Sequence, residues 1–205
     1  MRAMRFLALL AASAALLLLS GCAGTYLLDN QVQSFSQLPA MPAQPTFRFE
    51  RMLSQQADPA QQALEALADP ALYRVGLRRD DAAPHFSVQV GARIEQVLSP
   101  YYDPYGGPWG WGGGGWSVGF GGPHGAVGFG GPWPRADSYW FRREVSVVIR
   151  ELPANRVVYE THASSDGPIL DNRVVLPAMY DAAMQGFPNP PPGPRVVNIQ
   201  LGARQ

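Results

Sequence analysis

The side chains able to do chemistry are few and scattered. The three histidines, His85, His124 and His162, stand at no metal-ligand spacing from one another, and the single cysteine, Cys22, lies near the start of the chain. No metal site is expected. His162 follows Glu160 by two residues, which on a strand puts both on one face, the usual pattern of a solvated polar face. Ser164, Ser165 and Asp166 bring hydroxyls beside a carboxylate, without the strand-to-helix elbow that exposes a serine nucleophile. Asp80 and Asp81 follow Arg78 and Arg79 and read as a polar loop with local ion pairs, not as the carboxylate pair of a glycosidase. Acid, base and nucleophile do not converge, so no catalytic residue is assigned and no enzymatic activity is expected.

The most unusual stretch is PWGWGGGGWSVGFGGPHGAVGFGGPWP, residues 108–134. Residues 101–134 hold 14 of the 22 glycines and four of the five tryptophans. A phosphate-cradling loop needs a lysine followed by Ser or Thr at a helix start, and this chain has no lysine. A dinucleotide fingerprint lies between a strand and a helix, whereas this tract lies between two strand patterns. No nucleotide or other cofactor is therefore expected. Glycine favours a flexible linker, but disordered segments are poor in aromatics. VGFGGP occurs at 118–123 and again at 127–132, so the two copies are expected to pair as an extended hairpin arm. Trp109, Trp111, Trp116, Phe120, Phe129 and Trp133 would give such an arm amphipathic rings for contact, or cover the sheet by folding back over it.

The chain opens with Arg2 and Arg5, an apolar run FLALLAASAALLLL, and then Ser20-Gly21-Cys22. That is the order of a signal peptide, and the run is short for a stable membrane span. Leu19, Ser20, Gly21 and Cys22 resemble a bacterial lipobox. The resemblance implies cleavage before Cys22, acylation of its thiol, and a mature chain running from Cys22 to Gln205. Two or more acyl chains anchor stably, since each buried CH₂ contributes about 0.8 kcal/mol. Ala23, where Gram-negative sorting signals use Asp for inner-membrane retention, implies the outer membrane with the domain on the periplasmic face.

Composition narrows the partners. The chain carries 16 basic and 16 acidic residues and has no basic patch for nucleic acid. All 16 basic residues are Arg, which reads as a compositional bias shared with the abundant Ala, Gly and Pro.

Several elements must position whatever site exists. TYLLDNQVQSF is expected to pair at a sheet edge, and TFRFERM alternates as a half-buried strand with Phe47 and Phe49 inward. Asp58, Pro59 and Gln61 mark a helix start with capping-box spacing. Ala63, Leu64, Leu67 and Ala68 supply its apolar face, Pro70 ends or restarts it, and Gly76 is a stop. HFSVQVGARIEQVL is a strong strand, and SYWFRREVSVVIREL and VVYETHAS form a hairpin across PANR, with Asn155 at positive φ. A second helix is expected from about Leu176 to Gln185, with Val175, Met179, Ala182 and Ala183 inward, and RVVNIQL as a last edge strand. The fold class expected is α+β: a mainly antiparallel sheet with two helices on one face and the Gly/Trp-rich insertion, 101–137, between strands. The domain boundaries read as a signal peptide at 1–21, a lipidated tether and first extended segment at 22–45, and one domain at 46–202.

Several of these stretches together resemble a bacterial envelope lipoprotein family, catalogued as domain of unknown function 4136. They are the lipobox Cys22, SFSQLP followed by TFRFERM, FSVQV, VSVVIRELPANRVVYETHAS and AMYDAAMQGFP. The resemblance covers residues 25–188, and the Gly/Trp insertion and the NPPPGPRVVNIQL tail depart from it. It implies an α+β domain on a lipid anchor and carries over no catalytic residue. The function expected is a structural or assembly role, through an envelope protein partner and the membrane. The alternative is a binding module for a small apolar or glycan ligand stacked on the aromatic rings.

Overall fold

The computed structural model describes residues 26–38, 40–99, 118–122, 125–129, 139–169 and 171–202. The elements run β1 (Tyr26–Ser36), β2 (Thr46–Phe49), α1 (Pro59–Arg74), β3 (Arg78–Arg79), β4 (Phe86–Leu98), β5 (Val118–Gly122) and β6 (Gly125–Phe129). They continue with β7 (Tyr139–Glu151), β8 (Arg156–Gly167), α2 (Asn172–Met184) and β9 (Arg195–Leu201).

Seven strands form one sheet in the order β3-β2-β4-β7-β8-β1-β9. The expected α+β class holds as a mixed α/β domain of one sheet and two helices. The sheet is mostly antiparallel, but β2 pairs in parallel with both β3 and β4. The parallel pairing follows from connectivity: α1 lies between β2 and β4 and returns the chain in the same direction. β1 is not an edge strand. It is bracketed by β8 and β9, with Leu28 and Val32 in the core. β9 takes the edge, as expected.

The core follows period-2 patterning. Phe86, Val88 and Val90 of β4 and Val145, Val147 and Ile149 of β7 are buried on one side, where α1 and α2 also touch each other. On α2, Val175, Met179, Ala182 and Ala183 are buried as the pattern required. Each fully buried Val, Ile, Phe or Met side chain contributes roughly 1.5–3 kcal/mol, and an alanine less. The register of β7 with β8 shifts between Ile149 and Arg150, so Val158 and Tyr159 are both buried side by side. Across the turn, Asn155 takes φ 54, as expected.

Pro70, expected to end or restart the first helix, lies inside it. α1 runs through Pro70, which sits on the exposed side, where water can satisfy the carbonyl freed by its missing N–H. α2 starts at Asn172, before the expected Leu176, because Asp171 caps it by accepting from the Arg173 N–H at 3.0 Å; Pro177 is interior. Gly76 (φ 96) and Gly186 (φ 88) end the two helices. Asp58 caps α1 through the Ala60 N–H at 2.8 Å, but Gln61 is not its capping partner. Gln61 and Glu65 face inward with Ala68, Ala71 and Leu72, while Ala63 is exposed. Of the expected stripe, Ala68 is buried and Leu64 and Leu67 pack against the core, so the stripe differs in leaving out Ala63 and taking in two polar residues. Arg51 closes on Glu65 with Nε at 2.6 Å and Nη2 at 2.5 Å, and the Gln61 amide donates to the Val90 carbonyl at 3.4 Å.

β5 and β6 pair as an antiparallel two-stranded sheet, with Phe120 opposite Val127 and Val118 opposite Phe129. The expected hairpin is present, but Gly122 meets Gly125, so the second strand begins two residues before the second VGFGGP copy.

Candidate functional site

Among the described residues, the helices cover one face of the sheet and no element covers the other. The register brings Arg93 opposite Glu144, Glu95 opposite Arg142, and Arg142 opposite Asp166 on that open face. Arg93 pairs with Glu95 on its own strand, and Arg142 Nε lies 3.5 Å from Asp166 Oδ1. Arg93, Glu95, Arg142 and Glu144 line an open recess of about 250 Å³. Beside it, His162 Nε2 is 2.9 Å from Glu160 Oε1, and its Nδ1 is 3.5 Å from Glu144 Oε1. Near β2, Ser87 donates to Glu50 at 2.8 Å, and Arg150 lies 3.5 Å from the same carboxylate. This half of the face is a lattice of exposed ion pairs, each contributing little to stability.

The other half differs. Residues 27, 29, 31, 33 and 35 of β1 share the open face, and Val196 of β9 lies opposite Gln31. Leu27, Phe35 and Val196 are each more than half exposed there. β9 has no further strand beyond it among the described residues. Leu27, Val196 and Phe35 thus stand singly along this half of the face, with Asp29, Gln31, Gln33, Asn198 and Gln200 between them and the ionic lattice beside them.

The chemistry candidates stay apart. His85 Nδ1 is 2.7 Å from Thr46 Oγ1 in an exposed loop, and His124 lies outside the described residues. Ser165 donates to the Asp29 carbonyl at 2.7 Å and so ties β8 to β1. Asp80 accepts from the Ala82 and Ala83 N–H groups, Asp81 lies 3.3 Å from Arg79, and Arg78 stacks on Tyr73. Among the described residues, no group of three His, Cys, Asp or Glu side chains is placed to hold a metal. No helix among them is long and apolar enough to cross a membrane.

Two buried tyrosines have raised phenol pKa values because burial disfavours the phenolate. Tyr180 donates to the Gly91 carbonyl at 2.9 Å, and Tyr159 lies beside Ser34, Arg195 and Thr161. Arg143 is buried at the helix side of β7. Its Nε donates to Asn172 Oδ1 at 2.8 Å and its Nη2 to the Ile169 carbonyl at 2.5 Å, and burial lowers its pKa.

Of the sequence-derived contact residues, Leu19, Ser20, Gly21, Cys22, Trp109, Trp111, Trp116 and Trp133 lie outside the described residues. Phe120 and Phe129 are placed only as backbone positions of β5 and β6. Sequence reasoning did not pick out Leu27, Phe35 and Val196. Their alternation was visible, but which face the helices leave uncovered is a tertiary fact.

No curated protein matches the chain in sequence. Among solved structures, a PDZ domain protein from Parabacteroides distasonis aligns at 14% identity and TM-score 0.47, over 86% of this chain and 39% of its own. The chain thus spans well under half of that protein. A PelC dodecamer from Paraburkholderia phytofirmans aligns at 9% identity and TM-score 0.46, over 78% of this chain and 98% of its own. Residues 31–189 match the family described as "Domain of unknown function (DUF4136)", and the chain belongs to that family.

Proposed function

We propose that this chain is a non-enzymatic lipoprotein of the outer membrane, anchored through Cys22 on the periplasmic face. It serves a structural or assembly role by binding an envelope protein. The observation that carries the reading is the open sheet face beside the edge strand β9, on which Leu27, Val196 and Phe35 stand exposed among polar side chains. An edge strand offers backbone groups for pairing with another chain. The ligand-binding alternative gains no support from the open-face recess, whose four lining residues are all charged.

The test places a photo-crosslinking phenylalanine analogue at Phe35 in the native envelope, with Ala66 on the exposed side of α1 as the control site. A discrete protein adduct from Phe35 alone, lost in Cys22→Ser, is the expected result. No protein adduct from Phe35 in intact envelopes would remove the partner reading. Fatty-acid labelling of the wild type, absent in Cys22→Ser, checks the anchor separately.

A further inference from the structure

The helix layer is shorter than the sheet it covers. The first turns of α1 reach β4 at Val90, and α2 begins beside Arg143. β4 then continues from Gly91 to Leu98, paired with β7 as far as Tyr139, a further run of roughly 25 Å at strand spacing. On the helix side of this overhang stand Ala92, Ile94 and Leu98, with Gln96 between the last two. Ile94 is 41% and Leu98 66% exposed, although they continue the row of the buried Val88 and Val90. Val174, in the first turn of α2, is exposed at the same end.

The chain also enters the sheet at this end. Tyr26 pairs with Leu201, and its hydroxyl lies over Gly167, which pairs with Phe141 on β7. Tyr26 is exposed and belongs to the same face as the buried Leu28. Cys22 precedes Tyr26 by four residues, which span at most about 14 Å when fully extended. The β7–β8 turn at Ala154 and Asn155 closes the opposite end of the sheet.

The geometry points to the overhang as a lipid-resting surface. Tyr26, Ile94, Leu98 and Val174 sit in the headgroup zone of the bilayer, and the domain stands end-on with the β7–β8 turn farthest from it. This deepens the proposed function and rests on Cys22 as the anchor, because that short tether keeps this end near the membrane. Arg93, Arg142 and Arg173 rim the same end with largely exposed side chains, and their long stems suit headgroup phosphates. Each has a carboxylate neighbour, Glu95, Asp166 and Asp171 respectively, so the contact is chiefly apolar and only weakly salt-dependent.

The experiment uses the mature chain, 22–205, carrying Cys22→Ser and an N-terminal histidine tag. The tag is held on phosphatidylethanolamine–phosphatidylglycerol vesicles by a nickel-chelating lipid. Spin labels are placed singly through Leu98→Cys, Val174→Cys and, as the distant control, Ala154→Cys. On vesicles, the labels at 98 and 174 are expected to lose collisions with chromium oxalate and gain collisions with oxygen several-fold, while the label at 154 changes little. Labels at 98 and 174 as accessible to chromium oxalate as that at 154 would overturn the proposal. Loss of chromium access without oxygen gain would also overturn it, because the cover would then be protein. Since the tag supplies the tether, this result stands or falls independently of whether Cys22 is acylated in the cell.

Discussion

At the scale of single residues, the buried tyrosines tie stability to pH. Tyr180 and Tyr159 keep their protons to higher pH in the folded chain than in the unfolded one, where ionisation begins near the ordinary value of about 10. Above that point the unfolded state binds fewer protons. Their contribution is therefore complete below pH about 10 and is lost as pH rises beyond it. Tyr180→Phe should cost about 1 kcal/mol at neutral pH through the lost bond to the Gly91 carbonyl, and should flatten the alkaline decline. Urea unfolding from pH 8 to 11 checks both, and an unchanged alkaline slope would refute the assignment. A second local prediction concerns Gly91. A Cβ there would lie 2.7 Å from Ser146 Oγ, so Gly91→Ala should cost roughly 1 kcal/mol in the wild type and little in Ser146→Ala. A cost unchanged by removing that hydroxyl would place the constraint elsewhere. Asn155 was legible in the sequence because a tight turn needs positive φ. Gly91 was not, because its neighbour is set by the pairing of two strands distant in the chain.

At the scale of elements, α1 shows what patterning can and cannot reveal. Its start and stop were readable in Asp58-Pro59 and Gly76, since both are local chemistry. Its buried stripe was readable in Leu64, Leu67 and Ala68 but not in Gln61 and Glu65, which look like surface residues until Arg51 and the Val90 carbonyl are brought to them. Pro70 misled for a related reason. Its cost is set by what surrounds the broken hydrogen bond, and α1 turns it toward solvent. The Arg51–Glu65 bridge clamps the segment after β2 onto α1. Arg51→Ala should lower Tm by several degrees, and Glu65→Ala by less, because the first strands a buried carboxylate whereas the second leaves a partly exposed guanidinium that can reach water. The double variant should be no worse than Arg51→Ala alone, since the second change removes a charge already left unpaired. Additive losses in thermal unfolding would mean that the two side chains act separately.

At the scale of the whole molecule, the sheet order and the uncovered face were the least legible features. Strand alternation identifies two faces but not which one the helices take, nor that the C-terminal strand would pair with the first. The insertion poses the complementary question, because its composition was conspicuous in the sequence while its side chains lie outside the described residues. β4 and β7 are in register up to Leu98 and Tyr139, so their ends already meet. Replacing residues 100–137 by Asn-Gly would leave Ser99 and Ser138 flanking a two-residue hairpin turn. Shortening the loop lowers its closure entropy by about 2 kcal/mol, so the variant should unfold in urea at the same or a higher midpoint with an unchanged slope. Failure to fold would mean that the insertion supports the core. The same variant separates the two surfaces available for a partner. A crosslink from Phe35 that survives the deletion assigns recognition to the uncovered sheet face. One that disappears, in a chain that still folds, assigns it to the tryptophan-bearing insertion, and the open face of β1 and β9 would then be only its neighbour.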